Sequence, residues 1–310
     1  MKDLLFRFGI TVGRRYTKKQ KAWFLEEVAL EADKQGWKTE LLTHKTKISK
    51  SFHLAVGDLK NAQWVLIAAY DTPTKLILPN SIYYPFKAEK NLKTDSTNLL
   101  MQVFISFFAF TALYFLLKYA ATQVLTIQIP IWIGSFIAFL ILFKMLSGFT
   151  NRLNQNRNSA SVAMMLDLLK EPSLKHKMAL LFADKSVIGI EGYKELRDMD
   201  LISPYARTII LDCLAYGETL ALACAEKDKA NADLVIKNIK TDIYLKTYPE
   251  ESIFNFAFSM FPSGMSLVSG ERSDKDFIVR NTRSKKDYKV NQERLTDIRN
   301  GLLNTIKGGK

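Results

Sequence analysis

Two hydrophobic regimes alternate along this chain. In most of it, apolar residues recur singly or in short blocks among charged ones. Between residues 98 and 147 the alternation stops. From Asn98 to Leu117 the sequence reads NLLMQVFISFFAFTALYFLL, without a charge and with only Gln102 strongly polar inside the run. From Ile129 to Ser147 it reads IPIWIGSFIAFLILFKMLS, with the one charge Lys144 near its far end. Each run is about 20 residues, the length that crosses roughly 30 Å of hydrocarbon at 1.5 Å per residue. A core helix of a soluble domain keeps a polar stripe, and neither run reads as having one. The pattern therefore predicts a transmembrane helical hairpin, residues 97–148, with Lys144 reaching the headgroups.

The remaining pattern alternates helix with strand. Residues 17–35 carry apolar side chains at helical spacing (Trp23, Phe24, Val28, Leu30) and stop at Gly36. WKTELLTHK and SFHLAVGDL read as strands, and WVLIAAY (64–70) as a strand buried on both faces. NSASVAMMLDLLK predicts a helix from Asn158 or Ser159 that ends before Pro172. MALLFA and TIILDCLA (208–215) follow as buried strands separated by the helical GYKELRDMD, and an amphipathic helix, NQERLTDIRNGLLNTIK, comes last. This order predicts a three-layer α/β/α sandwich with a largely parallel mixed sheet. The hairpin would interrupt it, so that residues 1–96 and 149–310 form one domain.

Charge then orients the hairpin. Lys87, Lys90 and Lys93 precede the first run, Arg152 and Arg157 follow the second, and the connection expected over Tyr119–Gln128 is uncharged. The positive-inside rule places both termini and the soluble domain in the cytoplasm, in a cell membrane crossed twice. The N-terminus does not read as a signal peptide, because its apolar stretch is short and RRYTKKQKAW follows it. Two cysteines, Cys213 and Cys224, without CxxC spacing fit a reducing compartment and predict no zinc knuckle. The net charge of +13 is dispersed with acids interleaved. That suits a surface beside an anionic leaflet and gives no concentrated stripe for nucleic acid.

Five segments, taken in order, resemble the co-catalytic di-zinc aminopeptidases, the family of leucyl-type aminopeptidases and glutamate carboxypeptidase. WVLIAAYDTP resembles the family's strand ending in A-H-x-D-[ST]. NRNSASVAMMLDLLK resembles its N-D-N-A-S-G-V-A helix start, and LLFADKSVIGIEGYKEL its F-x-D-A-E-E-x-G-L-x-G-S segment. ARTIILDCLAYG resembles the N-x-D-M-x-G strand, and MSLVSG through VRNTRSKKDY the stretch ending in H-T-x-x-D. The resemblance implies an aminopeptidase-like fold, and it also locates what is missing. Its first histidine ligand falls on Ala69, the bridging aspartate on Arg157, the adjacent glutamates on Ser186 and Val187, and the last histidine at or near Asn281. Asp212 alone stands where a ligand would, with Asp71 where a carboxylate orients the lost histidine.

The loss holds in any register. The chain has three histidines, His44, His53 and His176, and none lies after 176. Glu-Glu pairs occur only at 26–27 and 250–251. A guanidinium at Arg157 about 4 Å from a divalent ion would be repelled by roughly 8 kcal/mol at an effective dielectric of 20. Ser161, Ser186 and Cys213 are the available nucleophiles, but no histidine is placed beside them, and GxSxG, P-loop, Rossmann and HExxH signatures are absent.

The reading that follows is a membrane-anchored, catalytically inactive aminopeptidase-like protein that needs no cofactor. Its vestigial cleft would hold a peptide, an anionic headgroup or a protein partner. Arg157, just before a helix start, would offer an anion site or else face water or a carboxylate. The competing readings are an active membrane-bound metallopeptidase with non-standard zinc ligands, and a scaffold that recruits proteins to the membrane.

Overall fold

The computed structural model describes residues 1–47, 49–76, 82–146, 148–273 and 276–308. The chain opens with α1 (Lys2–Phe6), which continues as a π-helical turn (Arg7–Thr11), and then α2 (Lys18–Lys34). Thr17 starts α2 with a capping box: its hydroxyl accepts the Gln20 N–H while the Gln20 side chain accepts the Thr17 N–H. Gly36, at φ +68°, ends the turn beyond it and releases β1 (Thr39–Lys45), β2 (Lys50–Val56) and β3 (Trp64–Ala69). A two-residue strand β4 (Ile82–Tyr83) precedes the helices α3 (Ala88–Ala120) and α4 (Leu125–Leu146).

After the hairpin come α5 (Ala160–Leu168), β5 (Met178–Ala183), α6 (Glu191–Asp198), β6 (Arg207–Asp212) and β7 (Thr219–Ala225). The chain closes with α7 (Lys229–Asn238), β8 (Ile243–Tyr248), β9 (Gly264–Ser273), β10 (Asp276–Arg280) and α8 (Gln292–Gly308). The strands form one sheet in the order β1-β2-β5-β3-β6-β9-β10-β4, with β7 and β8 branching from β9. Its centre, β5-β3-β6-β9, is parallel, while antiparallel pairs join β1-β2-β5 on one side and β7, β10 and β4 on the other. Every residue of β3 and β5 is buried, as continuous apolar strands between two layers must be. One face packs on α1, α2, α5 and α8, where Phe24, Met164, Leu180 and Leu302 meet in one core. The other face packs on α6 and the 257–261 segment through Ile67, Leu181, Tyr193 and Phe261. This is the expected mixed α/β sandwich, and strands from before and after the hairpin interleave in it.

Three expected boundaries move. The helix α3 begins ten residues before Asn98, because AEKNLKTDST is itself helix-competent and its Asn91 side chain bonds Tyr84 N at 2.9 Å and Tyr84 O at 2.8 Å. The connection is shorter than Tyr119–Gln128: only residues 121–124 separate α3 from α4. And β6 stops at Asp212 rather than Ala215, because Cys213 turns into the left-handed region at φ +52°.

The hairpin also carries a polar stripe that the linear sequence hides. Asn98, Gln102 and Ser106 lie four residues apart on α3 and are buried, as is Ser135 on α4. Large apolar side chains point outward instead: Phe104, Phe108, Phe136 and Phe143 are each more than 60% exposed. Both helices are long and apolar enough to cross a membrane, and only 11% and 6% of their apolar windows are buried. That removes the core-helix reading.

Candidate functional site

The carboxyl ends of the parallel strands converge, as ligand-binding edges of open α/β sheets do. The loop after β3 brings Asp71, the loop after β5 brings Ser186 and Val187, and β6 ends in Asp212. A π-helical turn, Gln155–Ser159, brings Arg157 from the segment that leaves the hairpin. The expected helix start at Asn158 or Ser159 is this turn, and α5 proper begins at Ala160.

Arg157 is the centre of the arrangement. Its guanidinium is buried and ion-paired with Asp212, and it also donates to the Val187 carbonyl. The Tyr83 ring lies 4.0 Å from the guanidinium carbon, and the Tyr83 hydroxyl donates to the other Asp212 oxygen at 2.7 Å. Burial is the largest single influence and works against the arginine's charge, but Asp212 together with Tyr83, Cys213 and Tyr193 outweighs it and holds Arg157 well above its ordinary pKa. Burial, with Asp212 alongside, pushes the Tyr83 phenol and the Cys213 thiol up, so both stay protonated and donate. The expectation of an anion site at Arg157 therefore meets a guanidinium whose charge a carboxylate already neutralises.

Two further carboxylates fix the loops that frame this pair. A single Asp71 oxygen accepts the backbone N–H groups of Ser186 and Val187, each at 3.2 Å. Asp287 accepts the backbone N–H groups of Asn156 and Arg157 at 2.8 and 3.3 Å, so it holds the turn that carries the arginine. Burial raises Asp71 to about 6 and Asp287 to about 8. The Ser186 hydroxyl is used locally, on the Asp184 carbonyl at 2.9 Å. Ala69 closes β3 two residues before Asp71. Asn281, at φ +65°, stands beside Asp287 in a neighbouring pocket of about 50 Å³ and makes no bond to Arg157. Of the residues singled out from the sequence, Asp71, Arg157, Val187 and Asp212 are thus joined in one circuit, with Ser186 attached through Asp71.

Little room is left around that circuit. The voids against it, lined by Tyr83, Arg157, Val187 and Arg283 on one side and Ser186, Tyr193 and Asp212 on the other, measure about 20 and 30 Å³. Each is the size of roughly one water.

A second charged cluster stands beside it. The Arg15 side chain is fully buried, donates to Asn158 Oδ1 at 2.8 Å and Ser159 Oγ at 2.6 Å, and stacks 4.8 Å from the Phe24 ring centre. Its Nε and Nη1 have no acceptor among the described residues, and burial lowers its pKa to about 9. On β2, His53 Nδ1 accepts the Asp184 N–H at 3.1 Å, so its proton sits on Nε2, which faces Glu195 at 3.3 Å. Burial lowers the His53 pKa, and the ring is a neutral structural element.

A zinc ion does not fit these residues. Among the described residues no group of three or more His, Cys, Asp or Glu side chains could hold a metal. Asp212 is engaged by a guanidinium, and His53 has its free nitrogen on a backbone N–H.

No protein-family profile matches the chain, and no curated protein does either. Solved structures do. The glutaminyl cyclase of Bacteroides thetaiotaomicron, bound to N-acetylhistamine, is similar with a TM-score of 0.59 at 11% identity, over 100% of this chain and 95% of that one. A leucine aminopeptidase precursor from Bacteroides thetaiotaomicron gives 0.54 at 11% identity over 100% and 94%. The Porphyromonas gingivalis glutaminyl cyclase gives 0.58 at 10% over 99% and 97%. The chain has the fold of leucine-type aminopeptidases, as the order of its five segments implied, and of glutaminyl cyclases, which that order did not single out.

Proposed function

We propose that this chain is a membrane-anchored pseudoenzyme: a two-span protein whose aminopeptidase-like cytoplasmic domain binds rather than cuts. One observation carries the reading. The buried Arg157–Asp212 pair occupies the place where the resemblance puts a bridging carboxylate and a metal ligand, and it satisfies itself. A cation held there by Tyr83, Val187 and Asp212 stands in for the charge a metal would bring. Hydrolysis by a metal-activated water needs a ligand set for its ion, which the described residues do not assemble, and a base, where the resemblance places Ser186 and Val187.

The anchoring half of the proposal rests on α3 and α4, which present their large apolar side chains outward with nothing in the domain to cover them. Of the ligand classes that the sequence suggested, a peptide threaded into the cleft suits the closed site least, because voids of about 20 and 30 Å³ admit no side chain. A headgroup or a protein partner met on the outer surface suits it better. The vestigial cleft (Ala69, Asp71, Arg157, Ser186, Val187, Asp212, Asn281) is on this proposal a rigid internal brace.

Elemental analysis of the detergent-purified chain, run beside an aminopeptidase assay and a glutaminyl cyclase assay, tests it. The expected outcome is a zinc content far below one per chain with no turnover in either assay. More than one tightly bound zinc per chain, or turnover that a chelator abolishes, would sink the reading and favour the metallopeptidase alternative.

A further inference from the structure

The neck, where the hairpin meets the domain, is built from segments distant in sequence. Lys75 N donates to Phe149 O at 2.7 Å, and an isolated bridge joins Thr74 to Thr150. Arg283 donates to Thr74 O at 2.8 Å and to Thr74 Oγ1 at 3.1 Å, and pairs with Asp95 on α3. Asn151 Nδ2 reaches Ser284 O at 3.0 Å. Residues 74–75, 149–152 and 282–286 therefore close around the base of α3. Asp95 lies three residues, about 4.5 Å of helix rise, before Asn98, where the apolar run begins. The other end agrees, for Phe149 follows the last residue of α4 by three positions.

Each of these segments carries cations that the fold does not use. Lys75, Lys93, Arg152, Lys285 and Lys286 make no ion pair among the described residues, and all but the half-buried Lys75 are exposed. The acids nearby are occupied: Asp95 by Arg283, Asp276 by Lys87 and Lys90, and Asp287 inside the domain. Glu89 is the exception. Exposed apolar side chains accompany the cations, Leu92 on α3 and Phe149 at the exit of α4. The structure also removes two cations from this face, because Arg157 is buried, Arg283 is half-buried, and both are paired.

We propose that these five cations form a collar that binds the headgroups of anionic phospholipids in the leaflet next to the domain. The inference rests on the membrane-anchored reading above and deepens it. Within this collar Lys93 lies five residues, about 7.5 Å of helix rise, before Asn98, within a Debye length of about 10 Å at 0.1 M salt. Rim apolar groups beside it set the depth, as interfacial anchors do.

The test compares nanodiscs of phosphatidylcholine with nanodiscs of mixed phosphatidylcholine and phosphatidylglycerol, reading retained lipid by native mass spectrometry. A surface cation contributes up to roughly five-fold preference for anionic lipid, so the expected phosphatidylglycerol enrichment is on the order of ten-fold or more at low salt. It should fade as salt is raised. The variant K75Q/K93Q/R152Q/K285Q/K286Q should retain lipid in the bulk ratio. A control with the same charge change at the far edge of the sheet, K2Q/K38Q/K60Q/K175Q/K229Q, should keep the enrichment. Equal enrichment in both variants, or none in the native chain, overturns the collar. Carbonate extraction separates that failure from failure of the anchoring: a chain released by carbonate defeats the membrane reading, and a chain retained without lipid preference defeats only the collar.

Discussion

The hairpin and the domain bury opposite kinds of side chain. In the domain, Trp64, Phe24, Phe182 and Met164 are inside. In the hairpin the buried residues include Asn98, Gln102, Ser106 and Ser135, with Ala120 at the end of α3, while phenylalanines and leucines face out. On the membrane-anchored proposal the inversion reflects two solvents, water around the domain and hydrocarbon around the hairpin. Yet both keep polar groups at one seam. The domain's seam is a charged circuit, Asp71 to Val187 to Arg157 to Asp212 to Tyr83, in which every polar group described has a partner. The hairpin's is a line of small or neutral side chains, and the Ser106 and Ser135 hydroxyls have no partner among the described residues. One seam is held by complementary charge, the other by size.

The sharpest way to break this contrast is to remove one charge from the domain's seam. Asp212→Ala leaves Arg157 buried without its carboxylate, and a buried charge stripped of its partner costs about 3–5 kcal/mol. The unfolding midpoint of the domain in urea should fall accordingly. The double variant Arg157→Met/Asp212→Leu removes both charges and should recover most of that loss, since apolar replacements of a buried pair are often neutral. If the double variant is as unstable as the single one, packing rather than charge holds the seam.

The hairpin gives the converse experiment. Phe136 lies at the centre of α4 and is 64% exposed. Phe136→Arg puts a charge against lipid at mid-helix, at a cost of about 2.5–3.5 kcal/mol on insertion scales. An insertion assay with a glycosylation acceptor placed after α4 should show more glycosylated chains, because a segment that α4 fails to hold back crosses the membrane. Unchanged insertion would mean that α4 does not meet hydrocarbon.

A change of pH acts on the domain's seam alone. Burial raises the Asp71 carboxyl from 3.8 to about 6. A carboxyl with a raised native pKa binds its proton more tightly when folded, so its contribution to stability is complete below about pH 4 and is lost as pH rises through about 6. Asp71→Asn keeps an oxygen for the Ser186 and Val187 N–H groups and cannot ionise. The variant should match the native chain near pH 4 and exceed it by up to about 3 kcal/mol at pH 8. Parallel stability curves for the two proteins would show that Asp71 is not strained by burial.

How much of this the sequence discloses depends on how local the cause is. The strands WVLIAA and MALLFA are legible because burial on both faces leaves an unbroken apolar run. The capping box at Thr17 and Gln20 spans three residues and is equally plain. The lack of a C-terminal histidine ligand is also legible, since no histidine follows His176 in any register. What fills the site is not. Tyr83 belongs to a two-residue strand whose partner, β10, lies nearly 200 positions later, and Asp287 acts on backbone N–H groups 130 and 131 positions away. No periodicity records such contacts. Arg157 was visible as an anomaly, but whether it would face an anion or its own Asp212 depended on where β6 ended.

The smallest expected effect separates polarity from size in the hairpin's seam. If Ser106 is there for its hydroxyl, Ser106→Ala should weaken the hairpin, and polar contacts between membrane helices average about 0.6 kcal/mol. The hydroxyl has no partner among the described residues, so the expected change is within about 0.5 kcal/mol of zero, the range of substitutions that remove no interaction. Ser106→Leu instead adds volume where α3 and α4 meet, and overpacking costs about 1–3 kcal/mol. Denaturant titration in detergent, followed by energy transfer between labels at the two ends of the hairpin, reads both. A native-like Leu variant beside a weakened Ala variant would reverse the assignment and make the hairpin's seam a polar one, like the domain's.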